Sequence, residues 1–405
     1  MKNNTFTRSS RLSLKFVNKE KRQILNNILD EYKILTQKFI NYFWVMKESD
    51  LPKFCDSKTY KIFDSDLGSY LRQSAGKQAL GVIKGTFKKQ KQRLYILRKL
   101  NTEGKFKQVR KLKNKIDEVN MNCPELKNID IELGGNPTVV RLEEGKQSFD
   151  LVLYLSLTKE FSKKYIPLKK NKHFNRLVEK GGKIAKGCRI SKDFVTLTFE
   201  FEKKEKEIGE TLGVDIGSKN IISCSNSFQT TKGLDEIQKK LIRKKKGSKS
   251  YLRTQIERKN FINWSINQLD LSNIKTVKRE NIKNLKKGVR TSKFLTAWTY
   301  TDIFDKLDRY CEEQNVSVIK ISPTYTSQRC SQCGWTRKSN RKGKVFKCDK
   351  CGNTLDSDLN ASKNISFNLR EIGKKERLLQ NNKPGFYWLE EGQELIVPDV
   401  ERNKK

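Results

Sequence analysis

Histidine is almost missing from this chain: among 405 residues there is one, His173. A Ser-His-Asp triad would have to be built on that residue, in the stretch KKNKHFNRL, and a basic surface loop accounts for it better. Long apolar runs are missing too. No segment approaches the ~20 apolar residues of a transmembrane span, and the N-terminal MKNNTFTRSSRLSLKF lacks the apolar core of a signal peptide. Acidic residues are scarce beside basic ones: 46 Asp plus Glu face 86 Lys plus Arg, a formal net charge of +40. Such a surplus opposes compaction by self-repulsion unless a polyanion is usually bound. A surface tuned only for solubility would carry much less. With no span to enter a membrane, nucleic acid is the favoured partner, met at many phosphates at once.

Hydrophobic residues make up 35% of the chain, which is enough for a folded protein, and its length allows two or three domains. Of nine cysteines, four form two C-x-x-C pairs, while Cys55, Cys123, Cys188, Cys224 and Cys311 are scattered without spacing. That is no disulfide framework, and it suits a reducing cytoplasm.

Residues 5–17 alternate polar and apolar as a half-buried strand does. From Lys19 the apolar residues Ile24, Leu25, Ile28, Leu29, Tyr32, Leu35 and Phe39 recur at helical spacing, predicting a helix to about Met46. A second helical stretch, about Asp64 to Val119, carries Lys and Arg on its outer faces and suits a duplex as well as plain solvent. Between about Asn128 and Lys204 the period returns to two, predicting an antiparallel β-domain closed as a barrel. The first strand would join that barrel, with the helices inserted between its strands.

After Glu210, TLGVDIGSKNIISCS reads as two buried strands around a Gly turn. A basic helical segment, the strand IKTVKREN, the helix FLTAWTYTDIFDKLDRYCEEQN and the strand VSVIKIS come next, which is an α/β pattern. No internal repeat is present. The last stretch, NNKPGFYWLEEGQELIVPDVERNKK, reads as an irregular, charged tail with no assignable chemistry.

Cys330 and Cys333, then Cys348 and Cys351, form two knuckles, each with a Gly beside it at Gly334 and Gly352. Four thiolates in two such pairs suit tetrahedral zinc in a closed structural site. A lone C-x-x-C would leave redox chemistry or chance open; two together point to zinc. A short Lys-rich hairpin depends on that metal for its fold.

Hydrolysis of nucleic acid by two Mg²⁺ ions ~4 Å apart needs carboxylates converging from separate strands. Asp215 follows apolar residues in LGVDIGSKN and precedes Gly217, where a backbone can approach substrate closely. Glu280 ends the strand IKTVKRE, and Asp358 opens a helix in DSDLNASKNI. Taken singly, Asp215 is equally a turn residue, Glu280 a surface acid and Asp358 an N-cap.

The order LGVDIGSKN, KREN, TYTSQRCSQCG, FKCDKCG and LDSDLNASKNI resembles the split RuvC nuclease domain of the TnpB proteins and of the miniature type V CRISPR effectors. The resemblance covers roughly residues 210–368, and extends weakly into the N-terminal half. It implies an α+β multidomain fold: a wedge β-barrel from 1–18 and 120–208, a helical recognition lobe at 19–119, and a RuvC domain from 209–322 and 354–370. A zinc ribbon at 323–353 and a tail at 371–405 complete it.

The resemblance further implies that Asp215, Glu280 and Asp358 bind Mg²⁺ (or Mn²⁺) as the catalytic acids. Asp356 is the rival of Asp358, but the family's acid is the one in D-x-N-A, here DLNA. An arginine of the zinc hairpin is placed near the scissile phosphate, Arg341 first and Arg337 as fallback. Relatives carry a histidine in the helix before the second acid; this chain has Asn263 at about that place.

The function implied is that of an RNA-guided DNA endonuclease, TnpB-like or a compact type V effector, with a guide RNA and target double-stranded DNA as partners. Monomer and dimer both stay open. The alternatives are a catalytically silent RNA-guided repressor, which would have lost one or more acids, and a nucleic-acid-binding zinc-ribbon protein without catalysis.

Overall fold

The computed structural model describes residues 5–145, 148–217, 220–230, 232–282, 300–373 and 385–390, without the side chains of 115–121. The chain is an α+β protein of two compact units, Met1–Glu202 and Lys203–Lys405. No described helix is long and apolar enough to cross a membrane.

In the first unit, β1 (Thr5–Ser13) is followed by α1 (Lys19–Trp44), whose N-terminus is capped by Asn18 Oδ1 accepting from Lys21 N at 2.9 Å. Leu25, Ile28, Leu29, Tyr32, Leu35, Phe39, Ile40 and Phe43 bury one stripe of that helix. A single turn, α2 (Ser57–Tyr60), precedes α3 (Ser69–Thr102) and α4 (Phe106–Met121). The single helical stretch expected from Asp64 to Val119 is thus divided, with the break around Gly104. The buried residues of α3 end at Ile83; beyond it the helix is lined by Lys88, Lys89, Lys91, Arg93, Arg98 and Lys99.

The β-strands of this unit are β2 (Ile131–Leu133), β3 (Val140–Glu144), β4 (Leu151–Leu155), β5 (Lys164–Leu168), β6 (Lys183–Ile190) and β7 (Phe194–Glu202). They do not close a barrel. Two open sheets form instead, in the orders β1-β7-β6-β2 and β3-β4-β5. The first strand does join the sheet as expected, pairing antiparallel with β7 from Thr5↔Glu202 to Ser13↔Phe194. Alternation marks which residues face a core, but closure depends on whether edge strands pair, and here β3, β4 and β5 pair only among themselves. His173 lies on an exposed turn of α5 (Lys172–Glu179) and not in a loop; its Nδ1 is 3.3 Å from Arg176 Nη2.

The second unit is built on a four-stranded sheet ordered β11-β10-β8-β9. β8 (Glu210–Ile216), β10 (Ile274–Glu280) and β11 (Ser317–Ile321) run parallel, and β9 (Ile222–Cys224) is antiparallel to β8. Helices α6 (Leu234–Ile242) and α7 (Lys249–Ile266) lie between β9 and β10 in the chain, and α8 (Tyr300–Glu313) between β10 and β11. The expected start of α8 near Phe294 falls outside the described residues. The core gathers Leu212, Val214, Ile222, Ile262, Ile266, Val277, Ile303, Phe304 and Leu307.

Arg279, buried on β10, holds α8 by a two-pronged pair with Asp308: Nε to Oδ1 at 2.7 Å and Nη2 to Oδ2 at 2.6 Å. Its guanidinium lies 4.1 Å from the centre of the Phe304 ring. Asp308→Ala leaves that guanidinium buried without its carboxylate and is expected to cost about 2–4 kcal/mol. Chemical denaturation of the full chain checks it; an unshifted transition contradicts it.

The remaining elements are short: β12 (Trp335–Thr336), β13 (Arg341–Lys342), β14 (Val345–Lys347), β15 (Thr354–Asp356), α9 (Ser357–Ser366) and β16 (Phe386–Tyr387). β13, β14 and β15 make a small antiparallel sheet, and β16 pairs with β12. The stretch expected to be an irregular tail therefore straps the cysteine hairpin. Trp388 N donates to Gly334 O at 2.9 Å, and its indole Nε1 to Arg370 O at 2.9 Å.

Candidate functional site

Each acid arrives on its own element. Asp215 sits near the end of β8, a strand buried on both faces and opposite Ser223 of β9. Glu280 ends the neighbouring strand β10, paired with Ile321. Asp358 lies in the first turn of α9, 3% exposed.

Helix α9 lies directly on β8. A Cβ on Gly213 would come within 2.0 Å of Ser362 O, so only glycine lets the helix approach this closely. Buried side chains fix both ends of α9. Lys278 of β10 donates to the carbonyls of Ser366 and Phe367, each at 3.1 Å, and so caps the C-terminal turn. Nearer the N-terminus Asn360 Nδ2 donates to Arg329 O at 2.8 Å, and one turn on Asn364 Nδ2 donates to Thr326 O at 2.9 Å and Arg329 O at 2.7 Å. Arg329 returns a bond from Nη1 to Asn364 Oδ1 at 2.8 Å and reaches Trp388 O with Nε at 2.6 Å. The helix, the start of the cysteine hairpin and the strap thus share one buried polar network.

Glu280 and Asp358 both act on Asp215. Burial drives the pKa of Asp215 well above the usual carboxylate range; the charges of Glu280 and Asp358 raise it further, and Arg341 opposes them. Glu280 is raised by burial, against a 2.5 Å bond donated by Thr326 Oγ1 to its Oε1 and the charge of Arg341. A Cβ on Gly217 would stand 3.2 Å from Asp358 Oδ2 and 2.7 Å from Asn220 O. Gly217 thus lets the backbone pass close to Asn220 and Asp358.

Asp356 is the N-cap of α9, its Oδ1 accepting from Asp358 N at 2.9 Å and Leu359 N at 3.1 Å. Arg337 is paired with Asp349 at 2.5 Å, whereas Arg341 Nη2 lies 3.4 Å from Asp358 Oδ1. Lys344 Nζ pairs with Asp358 Oδ2. Asn263 lies on α7. The sequence assigned no role to Lys344, Thr326, Arg329, Asn360 or Asn364. The TYTSQRC and DLNASKN stretches held four of them, but no periodicity marks a side chain whose partner lies 14 to 46 residues away.

The sulfurs of Cys330, Cys333, Cys348 and Cys351 all lie within 4.8 Å of one another, the one such cluster of metal-ligand side chains among the described residues. Cys330 Sγ is 3.6 Å from Cys351 Sγ, and Cys333 Sγ 3.7 Å from Cys348 Sγ. A tetrahedron with ~2.3 Å zinc–sulfur bonds has edges of about 3.8 Å. The two knuckles repeat one hydrogen-bond pattern: Gly334 N to Cys330 O at 3.0 Å and Gly352 N to Cys348 O at 3.1 Å. The donor set and spacing are those of a four-thiolate zinc site.

Residues 300–365 match the family described as Cas12f1-like, TNB domain. A protein named CRISPR-associated endodeoxyribonuclease Cas12f1 from Sulfoacidibacillus thermotolerans is 44% identical over 93 residues, 23% of this chain and 22% of that one. Another of the same name, from an uncultured archaeon, is 24% identical over 236 residues, 47% of this chain and 43% of its own length. The putative RNA-guided DNA endonuclease InsQ of Escherichia coli K12 is 34% identical over 68 residues, 16% of this chain and 17% of InsQ. The matched stretch thus spans about a fifth of the first curated relative. A solved structure described as the mini-RNA-guided endonuclease CRISPR-Cas_phi3 shares the fold, with TM-score 0.53 at 11% identity over 89% of this chain and 92% of that one. This chain is therefore similar to the Cas12f1 and TnpB-type proteins, with residues 300–365 matching the TNB-domain model.

Proposed function

We propose that this protein is an RNA-guided DNA endonuclease, of the TnpB or compact type V kind, with a RuvC-type site at Asp215, Glu280 and Asp358. The observation that carries this reading is that Asp215 on β8 is buried within range of the charges of Glu280 on β10 and Asp358 on α9, and that burial raises the pKa of both Asp215 and Glu280. A buried carboxylate whose pKa is raised by two neighbouring acids calls for positive charge, and an all-oxygen donor set suits a hard divalent cation. The lack of a Cβ at Gly217, beside Asp358, leaves room in that cradle. Bound there, Mg²⁺ or Mn²⁺ supplies Lewis-acid charge at a phosphodiester.

The chain's own groups do the rest. Asp215, Glu280 and Asp358 would hold the cation. Thr326 orients Glu280, and α9, clamped at both ends, fixes Asp358. Arg341 offers a guanidinium to the charge that accumulates on the phosphate during cleavage. Zinc on the four cysteines holds the hairpin that presents Arg341.

In this reading, residues 1–18 and 120–208 are a wedge made of two open sheets, and 19–119 the recognition lobe. Residues 209–322 and 354–370 are the RuvC domain, with 323–353 a zinc ribbon. Guide RNA pairs with one DNA strand and supplies sequence specificity, while the protein meets phosphates. The excess of +40 supports this, as do the basic far half of α3 and an open groove of about 770 Å³ in the first unit, edged by Lys53, Lys77, Lys84 and Arg189.

The test uses the protein purified with its co-expressed RNA, given matched and mismatched duplex DNA with Mg²⁺. Cutting of the matched duplex, leaving 5′-phosphate and 3′-hydroxyl ends, supports the proposal. Binding of RNA and matched DNA with no cutting moves the protein to the silent class. Arg341→Ala is expected to slow single-turnover cutting about 10²–10³-fold while weakening DNA binding far less. Equal falls in both would make Arg341 a phosphate anchor only.

A further inference from the structure

Asp358 carries a cation on each oxygen: Arg341 at Oδ1 and Lys344 at Oδ2. Lys344 is held there by its backbone. It comes directly after Gly343 in the turn between β13 and β14, and that turn is tied to the residue preceding Asp358. Ser357 N donates to Lys344 O at 2.9 Å, and Ser357 Oγ to Gly343 O at 3.1 Å. The anchors thus join the residue before Asp358 to Lys344 itself and to the residue before it. The Lys344 side chain is 39% exposed and the Asp358 side chain 4%, so the ammonium has a way out to solvent while the carboxylate has none.

Resting on the nuclease reading, we infer that Lys344 is a resident counter-cation of the acid site, which occupies Asp358 Oδ2 without metal and must leave it when a divalent ion binds. The charge count gives the reason. Three acids stand against Arg341 and Lys344, so the pair of basic residues brings the metal-free site close to neutrality. A divalent ion that takes Asp358 as a ligand competes with the ammonium for the same oxygen. Lysine suits this exchange better than arginine would: it is a point charge on a flexible stem, without a planar fork to hold two oxygens. Lys344 is then a positioning residue. It keeps Asp358 seated before an ion binds and sets how tightly the site takes its metal.

The experiment measures Mn²⁺ uptake by the zinc-loaded full-length protein, from the electron paramagnetic resonance signal of free Mn²⁺, without nucleic acid. Wild type, Lys344→Gln, Lys344→Arg and Asp215→Ala are compared at equal zinc content. Lys344→Gln is expected to bind Mn²⁺ about tenfold more tightly, the scale of one partly buried ion pair. It is also expected to melt at a lower temperature without added Mn²⁺, and to recover when Mn²⁺ is supplied. Lys344→Arg keeps the charge and should not tighten binding. Unchanged or weaker uptake by folded Lys344→Gln overturns the inference, as does equal tightening by Lys344→Arg. A wild type without Mn²⁺ uptake that Asp215→Ala removes overturns the nuclease reading, and this inference with it.

Discussion

Cutting of matched DNA by the Asp215→Ala variant is expected to fall at least about 10³-fold, because several kcal/mol of charge stabilisation leave with the metal, and each ~1.4 kcal/mol is tenfold. The location of the residue explains why no neighbour can replace it. Asp215 stands on a strand flanked by β10 and β9, under a helix in close contact with the backbone at Gly213. Water cannot rebuild a negative oxygen there. The fold should tolerate the change, since removing one of three mutually repelling buried acids relieves repulsion. RNA binding and matched-DNA binding are therefore expected to persist, which separates a chemical defect from a folding one. Single-turnover cutting beside filter binding measures both. A variant that still cuts at more than a tenth of the wild-type rate would remove Asp215 from the site.

Zinc content and cutting are both expected to collapse in Cys348→Ser. Structural zinc contributes on the order of 10 kcal/mol to folding of small thiolate domains. The local apolar cluster it would stabilise is small, with Phe346 as its only fully buried aromatic beside the cysteines. The damage should spread along traceable bonds. The hairpin presents Arg341 and Lys344 to Asp358, is tied to Ser357, and is joined to α9 through Arg329, Asn360 and Asn364. Metal analysis should show less than half a zinc per chain, and a thermal melt an early transition. The core around β8 and β10, built from other residues, should melt later. Normal stability without zinc would contradict a structural role for the metal.

Both variants act on features that were legible in the sequence to different degrees. Asp215 could be noticed because an acid inside an apolar strand, beside a glycine, is at odds with its surroundings. The knuckles could be noticed because two C-x-x-C pairs are a local pattern. Glu280 and Asp358 each kept an ordinary reading until family resemblance joined them. The tail, read as irregular, proved to contain the strand Phe386–Tyr387 and the buried Trp388. Its pairing with Trp335 and Thr336 lies some 50 residues back along the chain, beyond any local signal.

Sequence by itself determined the long strongly periodic elements, the charge and the metal-ligand spacing, because periodicity, composition and C-x-x-C are properties of neighbours in the chain. Tertiary structure alone decided that the strands of the first unit form two open sheets. It also decided that Asp356 caps α9, leaving Asp358 to point inward, and that Lys344 sits on that acid. The Asp356 cap is a local contact, but Asp356, Ser357 and Asp358 side by side leave open in sequence which of them makes it. The sheet pairing and the Lys344 contact depend on which groups distant in the chain meet, which packing and burial fix and no local pattern encodes.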